Sequence, residues 1–212
     1  MKKIAIIGTG DYSKSVINFI EKYKLYTVVG YFDNTQSSGT IINGYPVIGC
    51  DNDIISLFQK NTFDAVFIAI GYLKFSAREN IYQMLKGIVP FANLISPLAS
   101  IDDTAVIGKG VMISDGAVIH SNAVVEDNVS VTLHSIVNHG CRVGCHSFLS
   151  TRVTMAGNVT IGKRCFIGVG VIISDGVSIC DDVWLSPGSV VVKSLKKSGQ
   201  YLSQATKLYH LG

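Results

Sequence analysis

From residue 95 to residue 191 every sixth residue is aliphatic, with no insertion and no slip. The series starts Ile95, Ile101, Ile107, Ile113, passes through Val137, Val143 and Leu149, and closes on Ile179, Leu185 and Val191. Four residues after each stands a smaller one: Ala99, Ala105 and Val111 early on, then Ser135, Cys141 and Ser147, and finally Ser189. A helix repeats every 3.6 residues and a half-buried strand every two, so a strict period of six fits neither. It fits a parallel β-helix, in which three hexads close one coil and coils stack about 4.8 Å apart. Both series then point inward. The remaining positions face solvent, a ligand or another subunit, and the charged residues of the repeat fall almost entirely there. After Val191 the pattern stops, and Lys193, Lys196, Lys197 and Gly199 open a polar tail where coiling is expected to end.

The first 94 residues have a different grammar. Residues 3–8 read as a buried strand, followed by Gly8-Thr9-Gly10 and a helix over 13–24 carrying Val16, Ile17, Ile20 and Tyr23 on one face. Thr27–Phe32 is a second strand closed by Asp33-Asn34, residues 36–44 form a loop, and Tyr45–Gly49 is a short edge element. A helix over 51–60 with Asp51 as its N-cap follows, then a strand over 64–70 ending at Gly71, a helix over 77–86, and a short fourth strand over 91–94. Alternation of this kind predicts a small parallel sheet with crossover helices. The expected organisation is therefore an α/β Rossmann-like domain (1–94), an all-β parallel β-helix (95–191) and a C-terminal tail (192–212).

Composition narrows the function. Charged residues make up only 16% of the chain and apolar ones 48%, which excludes disorder. A net charge of +3 gives no reason to expect a nucleic-acid partner. The apolar runs are far shorter than the roughly twenty residues of a membrane span. The five cysteines form no CxxC, and Cys141 and Cys165 belong to the inward series, so a reducing cytoplasm is the expected compartment.

Two places can carry chemistry. A strand, a GxG turn, a helix and a carboxylate ending the next strand make a nucleotide-site arrangement, with backbone N–H groups for a phosphate and Asp33 for ribose or base. The fingerprint is incomplete because Ser13 stands where the third glycine would be, and the same residues also suit a plain tight turn. In the repeat, His120, His134, His139 and His146 fall in the middle coils, while His210 lies in the tail. Gly157 follows His139 by eighteen residues, one coil, so the ring should lie against the glycine backbone. A base beside a free backbone N–H is what acyl transfer needs, one to take the proton and one to hold the oxyanion. Spacing alone equally allows an exposed ring with a water partner.

The motifs Gly8-x-Gly10, Tyr31-Phe32-Asp33-Asn34, Pro46-Val47-Ile48-Gly49, Ile68-Ala69-Ile70-Gly71, Ile95-Ser96-Pro97, Asn138-His139 and Ala156-Gly157-Asn158-Val159-x-Ile161-Gly162 occur in that order. Together they resemble the two-domain hexapeptide acetyltransferases, which acetylate amino groups of nucleotide-linked sugars in surface-glycan pathways. Sialic acid O-acetyltransferases are close relatives of that family. The resemblance runs from residue 1 to about residue 195 and implies a left-handed coil, acetyl-CoA as co-substrate, no metal, and a homotrimer with active sites between subunits. It implies His139 as general base toward a nucleotide-linked amino (dideoxy) sugar, and Gly157 as the N–H that holds the thioester carbonyl. It places Gly8, Gly10, Asp33, Asn34 and Gly71 around the nucleotide, and Ser186, Gly188 and Lys193, with Lys196 and Lys197, along the coenzyme. Four departures stand out. Gly140 replaces an acidic residue common after the catalytic histidine, and Phe148 stands where a second histidine falls, with His146 two residues early. Residues 203–207 lack the usual GxPAK-like segment, and Asp11-Tyr12-Ser13 replaces a Gly-rich stretch.

Two other classes stay open on sequence grounds. His120, His134 and His139 also resemble the ligands of gamma-class carbonic anhydrases, trimeric coils that hold zinc, and three imidazoles with an open position suit a zinc-activated water. That reading lacks the family's arginine and carboxylate constellation and leaves the first domain without a task. A non-catalytic nucleotide-sugar-binding protein is the other possibility, and within the acetyltransferase reading a sugar or sialic acid O-acetyltransferase is the alternative.

Overall fold

The computed structural model describes residues 1–203; Gln204, Thr206 and Lys207 of the altered tail segment, and His210, lie outside the described residues. The N-terminal elements are β1 (Lys3–Ile7), α1 (Asp11–Tyr23), β2 (Thr27–Phe32), β3 (Ile41–Ile42), β4 (Tyr45–Gly49), α2 (Ile54–Gln59), β5 (Ala65–Ile68) and α3 (Phe75–Leu85). The sheet order is β3-β4-β2-β1-β5, parallel except for β3 against β4. Ile4, Ala5, Ile6 and Ile7 are all buried, as a central parallel strand covered on both faces requires. Val16, Ile17 and Ile20 of α1 pack on one side of the sheet, and Ile54, Ile81, Tyr82 and Leu85 of α2 and α3 on the other.

Three local expectations change. The helix after β4 begins as a 3-10 turn, Asp51–Asp53, and its end is capped by Asp53 accepting from the Cys50 N–H at 2.9 Å. Asp51 is not the cap, because its carboxylate is drawn to Asn34. The segment over 91–94 is not a fourth strand of this sheet: Phe91 touches it through one bridge to Val66, whereas Leu94 pairs with Met112 in the coil.

The second part is a left-handed parallel β-helix with three faces. A docked face, from Leu94–Ile95 to Val183–Leu185, lies under the N-terminal domain. An open face runs from Ser100–Ile101 through Ile136–Val137 to Val190–Val191, and a third face from Val106–Ile107 to Ser178–Ile179. Each strand pairs with the one eighteen residues on, as Val118 does with Ile136. The two inward series fill the interior, from Val111 and Ile113 through Cys141 and Cys165 to Leu185 and Val191. Pairing does not stop at Val191. Gly199–Tyr201 adds a further strand to the docked face, and Leu195 and Tyr201 cover the open end of the core. The hexad pattern could not show this, since a last coil has nothing above it to bury and needs only main-chain partners.

The domains are joined by specific contacts. The Tyr12 hydroxyl meets Ser130 Oγ at 2.9 Å, and the Tyr82 hydroxyl donates to Asp127 Oδ2 at 2.6 Å. Tyr72 lies against Phe166 and Phe148 on the docked face, ring centroids 4.3 and 5.3 Å away. Arg78 is fully buried between the domains and donates to the Ile70 and Asn128 carbonyls, each at 2.7 Å.

Candidate active site

The corner where the chain passes from the open face to the third face carries His139, Gly157, Asp175 and Lys193, one above the other at steps of eighteen. A Cβ placed on Gly157 would sit 2.3 Å from His139 Cε1, 2.6 Å from His139 Nε2 and 2.7 Å from Asp175 Oδ1. Glycine is present there for close approach, since its backbone is not in the left-handed region. The Gly157 N–H donates to no other described group, while its carbonyl accepts from Gly176 N at 3.0 Å. The expected pair is therefore assembled: an exposed imidazole over a glycine whose N–H is unused. His139 is anchored through its own backbone N–H, which donates to Asn138 Oδ1 at 2.8 Å. Gly140 takes the left-handed turn conformation (φ 64°), and the carboxylate that reaches this place instead is that of Asp175. The His120 ring stands edge-on to His139, 6.2 Å between centroids.

The other histidines are elsewhere. His134 lies at the opposite edge of the open face, in the turn before Ile136–Val137, packed under Gly116. Among the described residues no three His, Cys, Asp or Glu side chains converge as a metal site. His146 is buried in the domain interface and cannot stand in for a histidine near the thioester. Arg78 donates to Asn128 Oδ1 at 3.1 Å, so the Asn128 amide N–H must face His146 Nδ1, 2.9 Å away, and that nitrogen accepts. Burial, helped by the charges of Arg78 and Arg164, pushes the His146 pKa down to about 4. Phe148 belongs to the docked face beneath Tyr12 and Tyr72. Ser186 and Gly188 sit at the edge where the docked face meets the open face, away from Gly157, whereas Lys193 shares the His139 corner.

The N-terminal domain opens a crevice of about 540 Å³ over the C-terminal ends of β1, β2 and β5, lined by Gly8, Gly10, Asp33, Asn34 and Gly71 as expected. Gly8 is held at φ +98°, with Ile70 Cγ1 only 3.0 Å from where a Cβ would be, so no other residue fits the turn without strain. Ser13 replaces the third glycine usefully: it is buried and its hydroxyl donates to the Gly10 carbonyl at 2.7 Å. Asp33 has a different part from the one its position suggested. Oδ2 accepts from the Thr9 N–H (3.0 Å) and hydroxyl (2.7 Å), and Oδ1 from the Thr35 N–H (2.7 Å) and hydroxyl (2.6 Å). Four bonds fill a carboxylate, so Asp33 staples the two rim loops together and has no lone pair left for ribose. Burial works to raise its pKa, but these bonds outweigh it and hold the carboxyl below its ordinary value. Asn34 and Asp51 grip each other across the rim, and Lys74 is the one lysine or arginine on the lining. The periodicities that locate strands and helices carried no signal for Asp51, Lys74, Tyr12 or Tyr72.

A second crevice, of about 500 Å³, meets the first at Tyr12 and Tyr72 and runs between α1 and the edge joining the docked and open faces. Ser15, Asn18, Thr132, Ser150 and Thr151 give it hydroxyls and amides. Lys22 closes one side with a 2.7 Å ion pair to Asp115. Neither crevice includes His139.

Residues 3–85 match the PglD N-terminal domain and residues 158–193 the hexapeptide repeat of succinyl-transferase. Perosamine N-acetyltransferase from Caulobacter crescentus, solved with CoA and GDP-perosamine, superimposes with a TM-score of 0.87 at 27% identity, covering 96% of this chain and 94% of that one. The acetyltransferase domain of PglB from Neisseria gonorrhoeae, solved with acetyl coenzyme A, gives 0.85 at 25% identity over 95% and 96% of the two chains. The UDP-3-O-acylglucosamine N-acyltransferase of Bordetella avium is 39% identical over 66 residues, 31% of this chain but only 18% of that protein's length. The chain thus spans about a fifth of the length of the curated relatives it matches.

Proposed function

From its place in the hexapeptide-repeat nucleotide-sugar acetyltransferase family, we propose that this chain transfers the acetyl group of acetyl-CoA to the amino group of a nucleotide-linked sugar. The observation that carries this reading is the His139–Gly157 contact, an exposed imidazole laid over an unused backbone N–H. The neighbours solved with CoA and with GDP-perosamine support both substrates. Lys74 and the free N–H groups at the start of α1 would face the pyrophosphate in the first crevice, and the second would lead the sugar toward the coil.

The reaction is a direct attack. The sugar amine adds to the thioester carbon, forming C–N, while His139 takes the amine proton and the Gly157 N–H holds the oxyanion. Collapse breaks C–S, and coenzyme A leaves as thiolate to receive the proton from the imidazolium. The buried Cys141 and Cys165 thiols, both pushed up by burial, are turned into the core and offer no acyl-enzyme route.

The site is completed between subunits. The second crevice opens at one edge of the open face and His139 stands at the other, so one chain does not bring them together. The outward column of the open face is largely apolar, with Val118, Ile136, Ile172 and Val190 interrupted by Thr154, and Ile172 and Val190 are 49% and 64% exposed. Packing three such faces about an axis covers that column and sets one subunit's crevice against the next subunit's His139 corner. Ser186 and Gly188, on the crevice edge, then meet the same coenzyme as Gly157 and Lys193. Among the described residues no helix is long and apolar enough to cross a membrane, and a cytoplasmic site of action fits substrates carried on CoA and nucleotides.

Thermal-shift titration tests the reading. Acetyl-CoA and a nucleoside diphosphate should each raise the melting temperature independently. One zinc per subunit with no response to acetyl-CoA would sink the transferase in favour of a hydratase.

A further inference from the structure

The rim of the nucleotide crevice holds a polar device that the transfer reaction does not explain. Asn34 lies two residues past the end of β2 and Asp51 two past the end of β4, seventeen residues later, and the two bond reciprocally: Asn34 Nδ2 donates to Asp51 Oδ2 at 2.6 Å, and the Asp51 N–H donates to Asn34 Oδ1 at 3.0 Å. The amide orientation follows from its neighbours, because a carboxylate oxygen can only accept and a backbone N–H can only donate. Both residues line the crevice. What the pair leaves unused is therefore defined. Among the described residues Asp51 Oδ1 has no partner, Oδ2 keeps a lone pair, and the Asn34 amide keeps one N–H.

Read in order, the pair offers acceptor, acceptor, donor. The Watson–Crick edge of guanine reads donor, donor, acceptor: N2–H, N1–H and O6. Uracil and thymine read acceptor, donor, acceptor, so a carboxylate facing them gains one bond and sets its other oxygen against a carbonyl. The position suits a base. In a parallel sheet of this kind the pyrophosphate sits at the N-terminus of the first helix and the nucleoside extends over the end of the second strand, where Asn34 stands. Asp33, the usual carboxylate of that place, is spent on Thr9 and Thr35, which leaves the Asn34–Asp51 pair to meet the nucleoside.

We propose that Asp51, held by Asn34, reads the nucleobase and selects a guanosine diphosphate-linked sugar over uridine and thymidine counterparts. This rests on the reading of the N-terminal crevice as the nucleotide site.

Calorimetric titration of the full chain with GDP, UDP and dTDP tests it. GDP should bind about 10- to 100-fold more tightly than either pyrimidine nucleotide, the discrimination of one bidentate base contact. Asp51→Asn keeps the shape and the backbone donor to Asn34 but puts an amide at the reading position; it should cost GDP at least about tenfold and remove the preference. UDP or dTDP binding as tightly as GDP overturns the base assignment while leaving a nucleotide site in place. A GDP preference that survives in Asp51→Asn overturns Asp51 as the reader. No binding of any nucleotide overturns the crevice assignment along with it.

Discussion

Replacing Gly157 by Ala separates the position of the proposed base, His139, from the fold that carries it. The new methyl would lie 2.3 Å from His139 Cε1 and 2.6 Å from Nε2, against the roughly 3.5 Å that carbon contacts require. The ring must therefore retreat by about 1 Å, and the Asp175 carboxylate, 2.7 Å away, must move as well. Both side chains are exposed and free to swing, and the Gly157 backbone is in a region alanine adopts, so stability should change by less than about 0.5 kcal/mol. The N–H stays where it was. What is lost is alignment, and a displacement of about 1 Å in a catalytic group costs on the order of 100-fold. With acetyl-CoA and an accepted amino sugar, release of free coenzyme A thiol should show kcat down by about that factor while the affinities for nucleotide and acetyl-CoA hold. In a His139→Ala background the same substitution should cost little further, since the group it misplaces has gone. Full kcat in Gly157→Ala would refute the claim that the ring acts from its contact with this glycine.

Two further outcomes follow from the same geometry. Burial lowers the His146 pKa to about 4, well below the ordinary histidine value of about 6.5, so the unfolded chain binds a proton that the folded chain refuses between those limits. Stability should then fall as pH drops from about 6.5 toward 4, with a slope approaching 1.4 kcal/mol per pH unit, and His146→Gln should flatten that part of a urea-denaturation profile. Ile172→Lys, on the open face, should yield single subunits by light scattering that still bind nucleotide but turn over no substrate; an active monomer would contradict a shared site.

Fold and site were legible to different depths. The coil could be read because each of its inward positions answers to one constraint, a small interior repeated every six residues. That register also brought His139 onto Gly157, and carried further by the same step it reaches Asp175, two coils along. The end of the coil was misjudged because Gly199–Tyr201 is held by main-chain bonds that any residue can make. Asp33 shows the limit of motif reading. Its position could be expected from strand order, but whether its oxygens are free depends on Thr9 and Thr35, whose hydroxyls reach it only after the loops have closed. Asn34 and Asp51 are brought together by β4 lying beside β2, a pairing between distant segments that leaves no period in the sequence. His146 shares the middle coils with the other histidines but falls two residues short of the second histidine that the resemblance implies, and the sequence does not say what it touches. Docking of α3 and Arg78 makes it an interface residue instead.

The central claim is that an amino group is acetylated at the His139 corner. Its most direct test is the product itself: incubation with acetyl-CoA and nucleotide-linked amino sugars, followed by mass measurement. The account predicts a sugar heavier by one acetyl group, with one equivalent of coenzyme A released. It also predicts a His139→Ala variant that binds both substrates yet forms product about 100- to 10,000-fold more slowly. A wild-type chain that binds both substrates and acetylates none of a panel of such sugars, or a His139→Ala variant as fast as wild type, would contradict it.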